Sequence, residues 1–390
     1  DTPDRRAFIK RRTGLDLDAT FTAAKLAWVC SNHPKIAEGL RNGSMLFGTI
    51  DTWLTWSFTG GNVYATEAGN ASRTMLFDIS SLQFDPELLA LFGLEISSVP
   101  EIRKTNACFG STHASQFGTE FPIHALAGDQ QASLFGHGCL NAGQTKITFG
   151  TGAFIWSNAG TGARPEAPQH GIVETIAWDF SEPTYAYEGF VTNAGRALAW
   201  LSDHLAVEGG VEGLADAAMN VGTSNGVQIA PAFQGLSAPW WQSDVQAAIL
   251  GITSATEVGH IAYAGFEAVA HQVRTLLELL PGSPGAQAAA IRVDGGLRHF
   301  AFFVQLQADI LQASLYTSEA SFLSAKGAAL MAGLGASVWT DTDEIRGLRK
   351  AHAAVEFRSD LASWAEDSHA RWLSAVEIVI NFSKQRQAFS

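Results

Sequence analysis

The feature of this sequence that most constrains its fold is a helical stripe between residues 254 and 282. In "SATEVGHIAYAGFEAVAHQVRTLLELLPG", apolar or small residues recur every three or four positions: Val258, Ile261, Gly265, Val269, Val273, Leu276 and Leu280. Ser254 and Glu257 have the spacing of a capping box, and Pro281-Gly282 is a helix-ending pair. The pattern predicts one long helix that buries a single face in a core.

A strand, a glycine pair and a second helix follow this stripe. In "AIRVDGGLRHFAFFVQLQADIL", a short apolar strand ends at Asp294, Gly295-Gly296 comes next, and Phe303, Leu306 and Ile310 share one helix face. The same order occurs where a backbone approaches a ligand closely. With 46% hydrophobic residues and 38 glycines, the chain favours a buried α/β sheet with many tight turns.

Length and charge limit the remaining possibilities. The 390 residues suffice for about two domains, and the glycine-dotted segment "FGHGCLNAG" suggests a division into residues 1–137 and 138–390. The formal charge of -13, without a lysine- or arginine-rich tract, argues against nucleic acid as a partner.

Cys30, Cys108 and Cys139 are too few and too widely spaced for a disulfide framework, which favours a reducing cytoplasm. The sequence contains no secretory signal pattern and no apolar run of about 18 residues, so we expect no membrane association.

Two other segments give local predictions. Large apolar residues at helical spacing in "LFGTIDTWLTW", residues 46–56, predict a buried helix that ends at Gly60-Gly61. In "TKITFGTGAFIW", two runs rich in β-branched and aromatic residues flank residues 150–152, which predicts a β-hairpin with a glycine turn.

Asp129 in "AGDQQASLFG" has two interpretations. It follows Leu126-Ala127-Gly128, which we expect to end a strand, and it precedes a helix over residues 130–135. It is either an N-cap aspartate or a general base, kept ionised by the helix N-terminus and able to take a proton from a hydroxyl.

The glycine turns also have two interpretations. Gly150-Thr151-Gly152 is either only a hairpin turn, or a place where backbone N–H groups and the Thr151 hydroxyl meet a phosphate. Gly295-Gly296 leaves the same alternatives open. The histidines form no H-E-x-x-H spacing, and the chain has no G-x-S-x-G elbow, so neither a protein-held zinc nor serine hydrolase chemistry is supported.

Taken in order, these motifs resemble the glycerol kinase branch of the FGGY carbohydrate kinases. The matching segments are "FGTIDTWLTW", "NASRTMLF", "AGDQQASLFG", "FGTGAF", "GLSAPWW", "GFEAVAHQVR", "VDGG" and "KGAALMAGLG". The resemblance implies an α/β actin-like fold: two domains with RNase-H-like cores close over a cleft where Mg-ATP meets a polyol. Family members begin with an acid-x-glycine-threonine motif and an Arg-Glu pair, and this sequence starts after both. We therefore expect an incomplete first domain.

The resemblance also assigns residues to roles. Asp129 matches the catalytic base, and the substrate-binding positions are Gln130, Phe154 and Thr20. The nucleotide-binding positions are Gly150, Thr151, Gly195, Gly295, Gly296 and Phe300. The expected cofactors are ATP and Mg²⁺, with no protein metal ligand assigned. The expected reaction is phosphoryl transfer to glycerol or a similar polyol by a cytoplasmic homo-oligomer, a dimer or a tetramer.

Three departures keep alternatives open. Thr20 lies where glycerol kinases have a substrate-binding tyrosine, which favours another substrate such as a ketopentose or a tetritol. Ala199 and Phe300 replace a glutamine and an asparagine near the nucleotide, so those side-chain hydrogen bonds cannot form in the usual way. These two replacements favour a catalytically inactive nucleotide-binding remnant.

Overall fold

The computed structural model describes residues 2–165, 167–168, 171–281, 291–318, 322–348 and 353–388. Its first part is built from helices, loops and a few short strands. The elements are α1 (Pro3–Thr13), α2 (Thr22–Asn32), α3 (Pro34–Asn42), α4 (Ile50–Phe58), β1 (Ala65–Glu67), α5 (Ala68–Ala71), β2 (Phe77–Asp78), β3 (Gln83–Phe84), α6 (Pro86–Leu91), β4 (Glu101–Arg103), α7 (Ala114–Phe117) and α8 (Asp129–Gly136).

A larger sheet and long helices form the second part. The elements are β5 (Thr145–Phe149), β6 (Ala153–Thr161), β7 (Val173–Asp179), β8 (Pro183–Val191), α9 (Gly195–His204), α10 (Gly210–Val221), β9 (Gln228–Ala230), β10 (Ala248–Leu250), α11 (Val258–Glu278), β11 (Ile291–Gly295), α12 (Ala301–Leu311), β12 (Leu315–Thr317), α13 (Leu323–Gly335), α14 (Thr342–Gly347), β13 (Ala353–Val355) and α15 (Ala362–Ala388), with 3₁₀ helices over Gly296–His299 and Ser359–Leu361. No helix within the described residues is long and apolar enough to cross a membrane.

Seven strands form a mixed sheet in the order β13-β12-β11-β5-β6-β8-β7. The predicted hairpin is confirmed, because β5 and β6 are antiparallel and Phe149 pairs with Ala153 across the turn. Strand β11 runs parallel to β5, so the carboxyl ends of both strands lie at the same edge. That edge is where ligands bind in many parallel α/β sheets.

The two faces of this sheet differ in chemistry. On one face, Ile147, Ile155 and Val293 are buried in the main apolar core, together with residues of α11 and α12. Side chains alternate between faces along a strand, and paired residues on neighbouring strands share a face. The register therefore places one polar row on the opposite face: Arg292, Lys146, Trp156 and Glu188. A second row on that face contains Asp294, Thr148, Phe154 and Phe190.

The long helix is confirmed as α11, with a different start from the predicted one. Glu257, rather than Ser254, is the N-cap, and its capping-box partner is His260, whose Nδ1 accepts from the Glu257 N–H at 2.9 Å. A histidine ring nitrogen supplies the acceptor that a Glu or Gln side chain provides in the usual motif. Gly282 of the predicted stop signal lies outside the described residues.

The predicted helix over residues 46–56 forms as α4, but it is not buried. Ile50 and Trp53 are 74% and 62% exposed, whereas Thr52 and Thr55 form the buried side. The Thr55 hydroxyl donates to the Asp51 carbonyl at 2.8 Å, so this side can be buried without leaving an unpaired hydroxyl. Helical spacing predicts the helix, but it does not indicate which face is covered.

The first part of the chain packs on the β7 and β8 side of the large sheet. Ser72 Oγ lies 2.7 Å from Thr175 Oγ1, and the Thr105 N–H donates to the Asp179 carbonyl at 2.7 Å. Arg73 forms an ion pair of 2.5 Å with Glu188, a member of the polar row. These contacts hold the first part of the chain against the edge of the polar face.

Candidate active site

Asp129 is the first residue of α8, and the N-cap position belongs to Gly128. The N-cap interpretation is therefore wrong. The strand expected over residues 126–128 does not form: the Leu126 N–H donates to the Thr105 carbonyl at 3.2 Å, but no strand ladder is built there. The Asp129 side chain is exposed, and its Oδ1 accepts from the Gln130 N–H at 2.8 Å. A carboxylate in this position can accept a proton from a hydroxyl that reaches the helix N-terminus.

A close helix crossing fixes the position of α8. Two glycines meet where α8 and α13 touch, and a Cβ at Gly327 would lie 1.7 Å from the Ala132 carbonyl oxygen. The Ser324 hydroxyl donates to the Asp129 carbonyl at 2.9 Å. Helix α13 thus holds the backbone of Asp129 from one side.

Gln130 contacts a buried lysine on the polar face of the sheet. Lys146 is wholly buried, and its ammonium group donates to Gln130 Oε1 and, at 2.9 Å, to Thr148 Oγ1. Burial lowers the pKa of Lys146 to about 8, against the opposing effect of the nearby Asp294, Asp129 and Glu188 carboxylates. The ammonium form therefore predominates at neutral pH.

Asp294 and His137 form a second buried pair near Lys146. His137 Nε2 lies 3.1 Å from Asp294 Oδ2. Burial lowers the pKa of His137, so its ring is neutral at pH 7 and donates an N–H to the carboxylate. Burial alone would raise the pKa of Asp294, but hydrogen bonds from His137 and Thr148 outweigh it and leave that pKa below its ordinary value. Asp294 thus remains a carboxylate.

Phe154 lies beside these groups. It pairs with Thr148 across the hairpin, and its ring packs on Phe190 with centroids 4.5 Å apart. The residue is half-buried, so part of its ring remains open on the same face as Lys146. An aromatic ring thereby lies on the sheet face where Lys146 contacts Gln130 of α8.

The turn after β5 and the start of α9 are joined by backbone hydrogen bonds. The Gly195 N–H donates to the Gly150 carbonyl at 3.1 Å, and the Arg196 N–H donates to the Thr151 carbonyl at 3.0 Å. A Cβ at Gly195 would lie 2.5 Å from the Gly150 carbonyl oxygen, so glycine is required for this approach. Gly150 and Thr151 are exposed, which leaves the turn accessible to a ligand.

The second glycine pair meets the first at the sheet edge. Gly295 pairs with Phe149, the last residue of β5, and has φ of +89°. A Cβ there would lie 2.1 Å from the Phe149 carbonyl oxygen, so only glycine fits. Gly296 is exposed and starts the 3₁₀ helix. The structure thus brings Gly150, Thr151, Gly195, Gly295 and Gly296 to one edge.

Of the two remaining predicted site residues, Thr20 lies apart from this group, whereas Phe300 ends the 3₁₀ helix that Gly296 starts, its N–H donating to the Leu297 carbonyl at 3.1 Å. Thr20 is exposed, and its N–H donates to Asp18 Oδ1 at 2.7 Å. Phe300 is half-buried, with its ring 6.2 Å from that of Phe266 in the main core. In the part of the chain that the structure describes, no hydrogen bond or ring contact joins either residue to Asp129 or Gln130.

The sequence reasoning missed Lys146, His137 and the ion pair of Arg73 with Glu188. A signal for Lys146 was available, because "TKITF" alternates polar and apolar residues as a strand with one polar face does. Nothing local distinguishes such a lysine from a solvated one. Its burial depends on α8, which covers it from another part of the chain.

Comparison with known proteins assigns this arrangement to a family. Residues 3–136 match the N-terminal domain of the FGGY family of carbohydrate kinases, and residues 145–336 match its C-terminal domain. The chain belongs to this family. The predicted family and the two-domain actin-like kinase fold are confirmed.

Individual relatives extend the match. The chain is 38% identical over 376 residues to a glycerol kinase of Francisella philomiragia subsp. philomiragia, covering 96% of this chain and 75% of that protein. It is also 38% identical to a glycerol kinase of Chromobacterium violaceum, covering 91% and 72%. The chain thus spans about three quarters of the length of these relatives.

Solved structures give the same result. The crystal structure of Plasmodium falciparum glycerol kinase with ADP matches with a TM-score of 0.89 and 31% identity, covering 96% of this chain and 74% of that one. A ligand-bound xylulose kinase from Lactobacillus acidophilus matches with a TM-score of 0.85 at 19% identity, over 99% of this chain and 77% of that one. The second likeness concerns the fold alone.

Proposed function

We propose that this protein transfers a phosphoryl group from Mg-ATP to glycerol or a polyol of similar size. One observation carries the proposal: the Asp129-Gln130 pair at the start of α8 lies over the same sheet whose edge gathers the glycines of two ligand-accessible turns. The glycerol kinase relatives, at 38% identity, support glycerol as the acceptor.

In this proposal the protein acts mainly by positioning. Asp129 takes the proton of the attacking hydroxyl, Gln130 binds a substrate oxygen, and Phe154 packs on the carbon skeleton. The backbone at Gly150, Thr151 and Gly195 cradles the phosphates. The adenine base of ATP lies near Gly296. Gly295 allows the backbone to approach it closely, and Phe300 lies beside the adenine. Phosphoryl transfer needs little covalent help from the protein, so alignment of the hydroxyl with the phosphate accounts for most of the rate.

The residues present fit a magnesium ion. Mg²⁺ is usually held by one or two carboxylates together with substrate phosphates, and exposed Asp129 supplies such a carboxylate at the site. No preformed group of three or more His, Cys, Asp or Glu side chains occurs among the described residues. The ion would neutralise phosphate charge when bound with ATP.

Thr20 favours a second candidate, a kinase for a ketopentose or a tetritol. Threonine is smaller than the tyrosine that glycerol kinases place there and leaves room for a larger acceptor. Ala199 and Phe300 favour a third candidate, a nucleotide-binding protein without turnover.

We also propose residues 1–137 and 138–390 as the two domains, and a homo-oligomer, a dimer or a tetramer, in the cytoplasm. The family matches, which end at residue 136 and resume at 145, support this division.

The test is ATP consumption with glycerol, a tetritol and a ketopentose, using the protein and its Asp129→Asn variant. Turnover with glycerol that the variant lacks would support the first candidate. Preference for a larger acceptor would favour the second. ATP binding without turnover on any acceptor would contradict both and favour the third.

A further inference from the structure

Lys146 is unusual because its charge is fully buried in the middle of strand β5. Its side chain is 0% exposed, and lysine is rarely buried unless its ammonium group is paired. The groups that it donates to are uncharged: the Gln130 amide oxygen and the Thr148 hydroxyl. A buried cation that donates a hydrogen bond to an amide oxygen holds that amide strongly in one orientation.

The contact settles which way the Gln130 amide points. An ammonium group has three donors and no acceptor, so the Gln130 atom that faces Lys146 must be the oxygen. The NH₂ group then lies on the side away from the lysine. Gln130 is half-buried and adjoins exposed Asp129 at the start of α8, so we place this NH₂ group on the side that an incoming substrate would meet.

We propose that Lys146 is a positioning residue for the acceptor substrate: it fixes the Gln130 amide so that its NH₂ group donates to a substrate hydroxyl oxygen. This inference rests on the proposed function and adds a residue to it. The Gln130 NH₂ group can donate a hydrogen bond to the substrate oxygen that gives its proton to Asp129, or to a neighbouring oxygen of the same substrate. Asp129 and Gln130 together thus recognise one hydrogen-bond donor and one hydrogen-bond acceptor of a polyol.

The surroundings of Lys146 set the pH range of this effect. Burial lowers the pKa of Lys146 to about 8, opposed by acidic groups. The groups that face it are Asp129 on α8, Asp294 and Arg292 on β11, Glu188 on β8, and His137 and Cys139 after α8. Above pH 8 the neutral amine can also accept a hydrogen bond, so the amide is free to invert. The KM for the polyol should therefore rise with pH through about 8.

The experiment compares Lys146→Met with Lys146→Arg in steady-state kinetics for the polyol. Methionine keeps the length of the side chain but removes its donors, so we expect KM to rise about tenfold while kcat changes less. Arginine keeps the charge and the donors, and we expect it to restore most of the affinity. Thr148→Val, which removes the other acceptor with little change of shape, should raise KM less than Lys146→Met does.

A double-mutant cycle distinguishes positioning from a structural role. If Lys146 acts through Gln130, the KM effect of Lys146→Met must vanish in a Gln130→Ala background. Additive effects, or a lowered Tm with an unchanged KM for Lys146→Met, would overturn the inference. An unchanged pH dependence of KM in Lys146→Met would also do so.

Failure of the proposed function has a different signature. If the unaltered protein phosphorylates no polyol, the proposed function fails, and the side-chain amide of Gln130 is followed by ¹⁵N NMR after glutamine labelling. Its signals, assigned by their loss in Gln130→Asn, should shift in Lys146→Met and stay in place in Lys146→Arg. If the signals are identical in the unaltered protein, Lys146→Met and Lys146→Arg, the positioning role is overturned independently of the proposed function.

Discussion

At the scale of single residues, Asp129 shows what a local pattern can and cannot decide. The sequence left a cap and a base as alternatives, and the structure removes the first because Gly128 occupies the N-cap position. The residues around it are harder to infer. Gln130 follows from the motif, whereas Lys146 requires knowing that α8 covers the sheet.

Replacing Asp129 by asparagine should reduce polyol phosphorylation by about 100-fold or more, because the amide cannot take a proton. The side chain is exposed, so the Tm should change little. Coupled ATP-consumption kinetics and a thermal melt measure both. Asp203→Asn, at an exposed acid on α9, is the control and should keep full activity. Activity within a few-fold of the unaltered protein in Asp129→Asn would rule out the general-base role.

At the scale of elements, periodic patterns predicted best. Helix α11 and the β5–β6 hairpin depend on residues close in sequence, and both formed as expected. Errors arose where distant parts decide. The exposed face of α4 depends on what packs against it, and the segment over residues 126–128 makes a backbone hydrogen bond to Thr105 without forming the expected strand. The spacing of the two glycines that allow α8 and α13 to cross also has no local signal.

The crossing of α8 and α13 predicts a sharp response to one methyl group. A Cβ at Gly327 would lie 1.7 Å from the backbone oxygen of Ala132, which cannot move without shifting α8. We expect Gly327→Ala to lower the free energy of unfolding by about 1–3 kcal/mol and to reduce activity, since α13 also holds the Asp129 carbonyl through Ser324. Gly347→Ala, at the end of α14 with open space around it, is the control. Chemical denaturation that ranks the two variants equally would contradict this account.

Helix α11 carries a buried acid whose titration should be visible in stability. Burial raises the pKa of Glu267 to about 7, only partly offset by Ser224 and Arg371. The pKa of Glu267 in the folded protein lies above its ordinary value of 4.5. Its contribution to the free energy of unfolding is therefore fully present below pH 4.5 and is lost as pH rises through about 7. The free energy of unfolding of Glu267→Gln minus that of the unaltered protein should therefore increase by about 1–3 kcal/mol from pH 5 to pH 8. Urea denaturation at both pH values measures the difference; a constant difference would show that Glu267 does not titrate in this range.

At the scale of the whole molecule, opposing forces act on association. The formal charge of -13 keeps copies apart at low ionic strength. Ile50, Trp53 and Trp56 are 74%, 62% and 40% exposed on one side of α4, and contiguous exposed apolar surface favours contact between proteins. Salt screens the repulsion within about 10 Å at 0.1 M and leaves apolar attraction intact.

We therefore expect this chain to self-associate through α4, and to do so more strongly as salt rises. Sedimentation velocity across protein concentrations at low and high salt should show mass above the monomer mainly at high salt. Trp53→Glu should return the protein toward the monomer, because it places a charge in the centre of the apolar side. Met219→Glu, which adds the same charge at an exposed position of α10, should not. If both variants weaken association equally, added net charge is the cause and α4 is not the interface. A monomer at every salt concentration, including those that screen the repulsion, would show that the apolar side of α4 does not drive association.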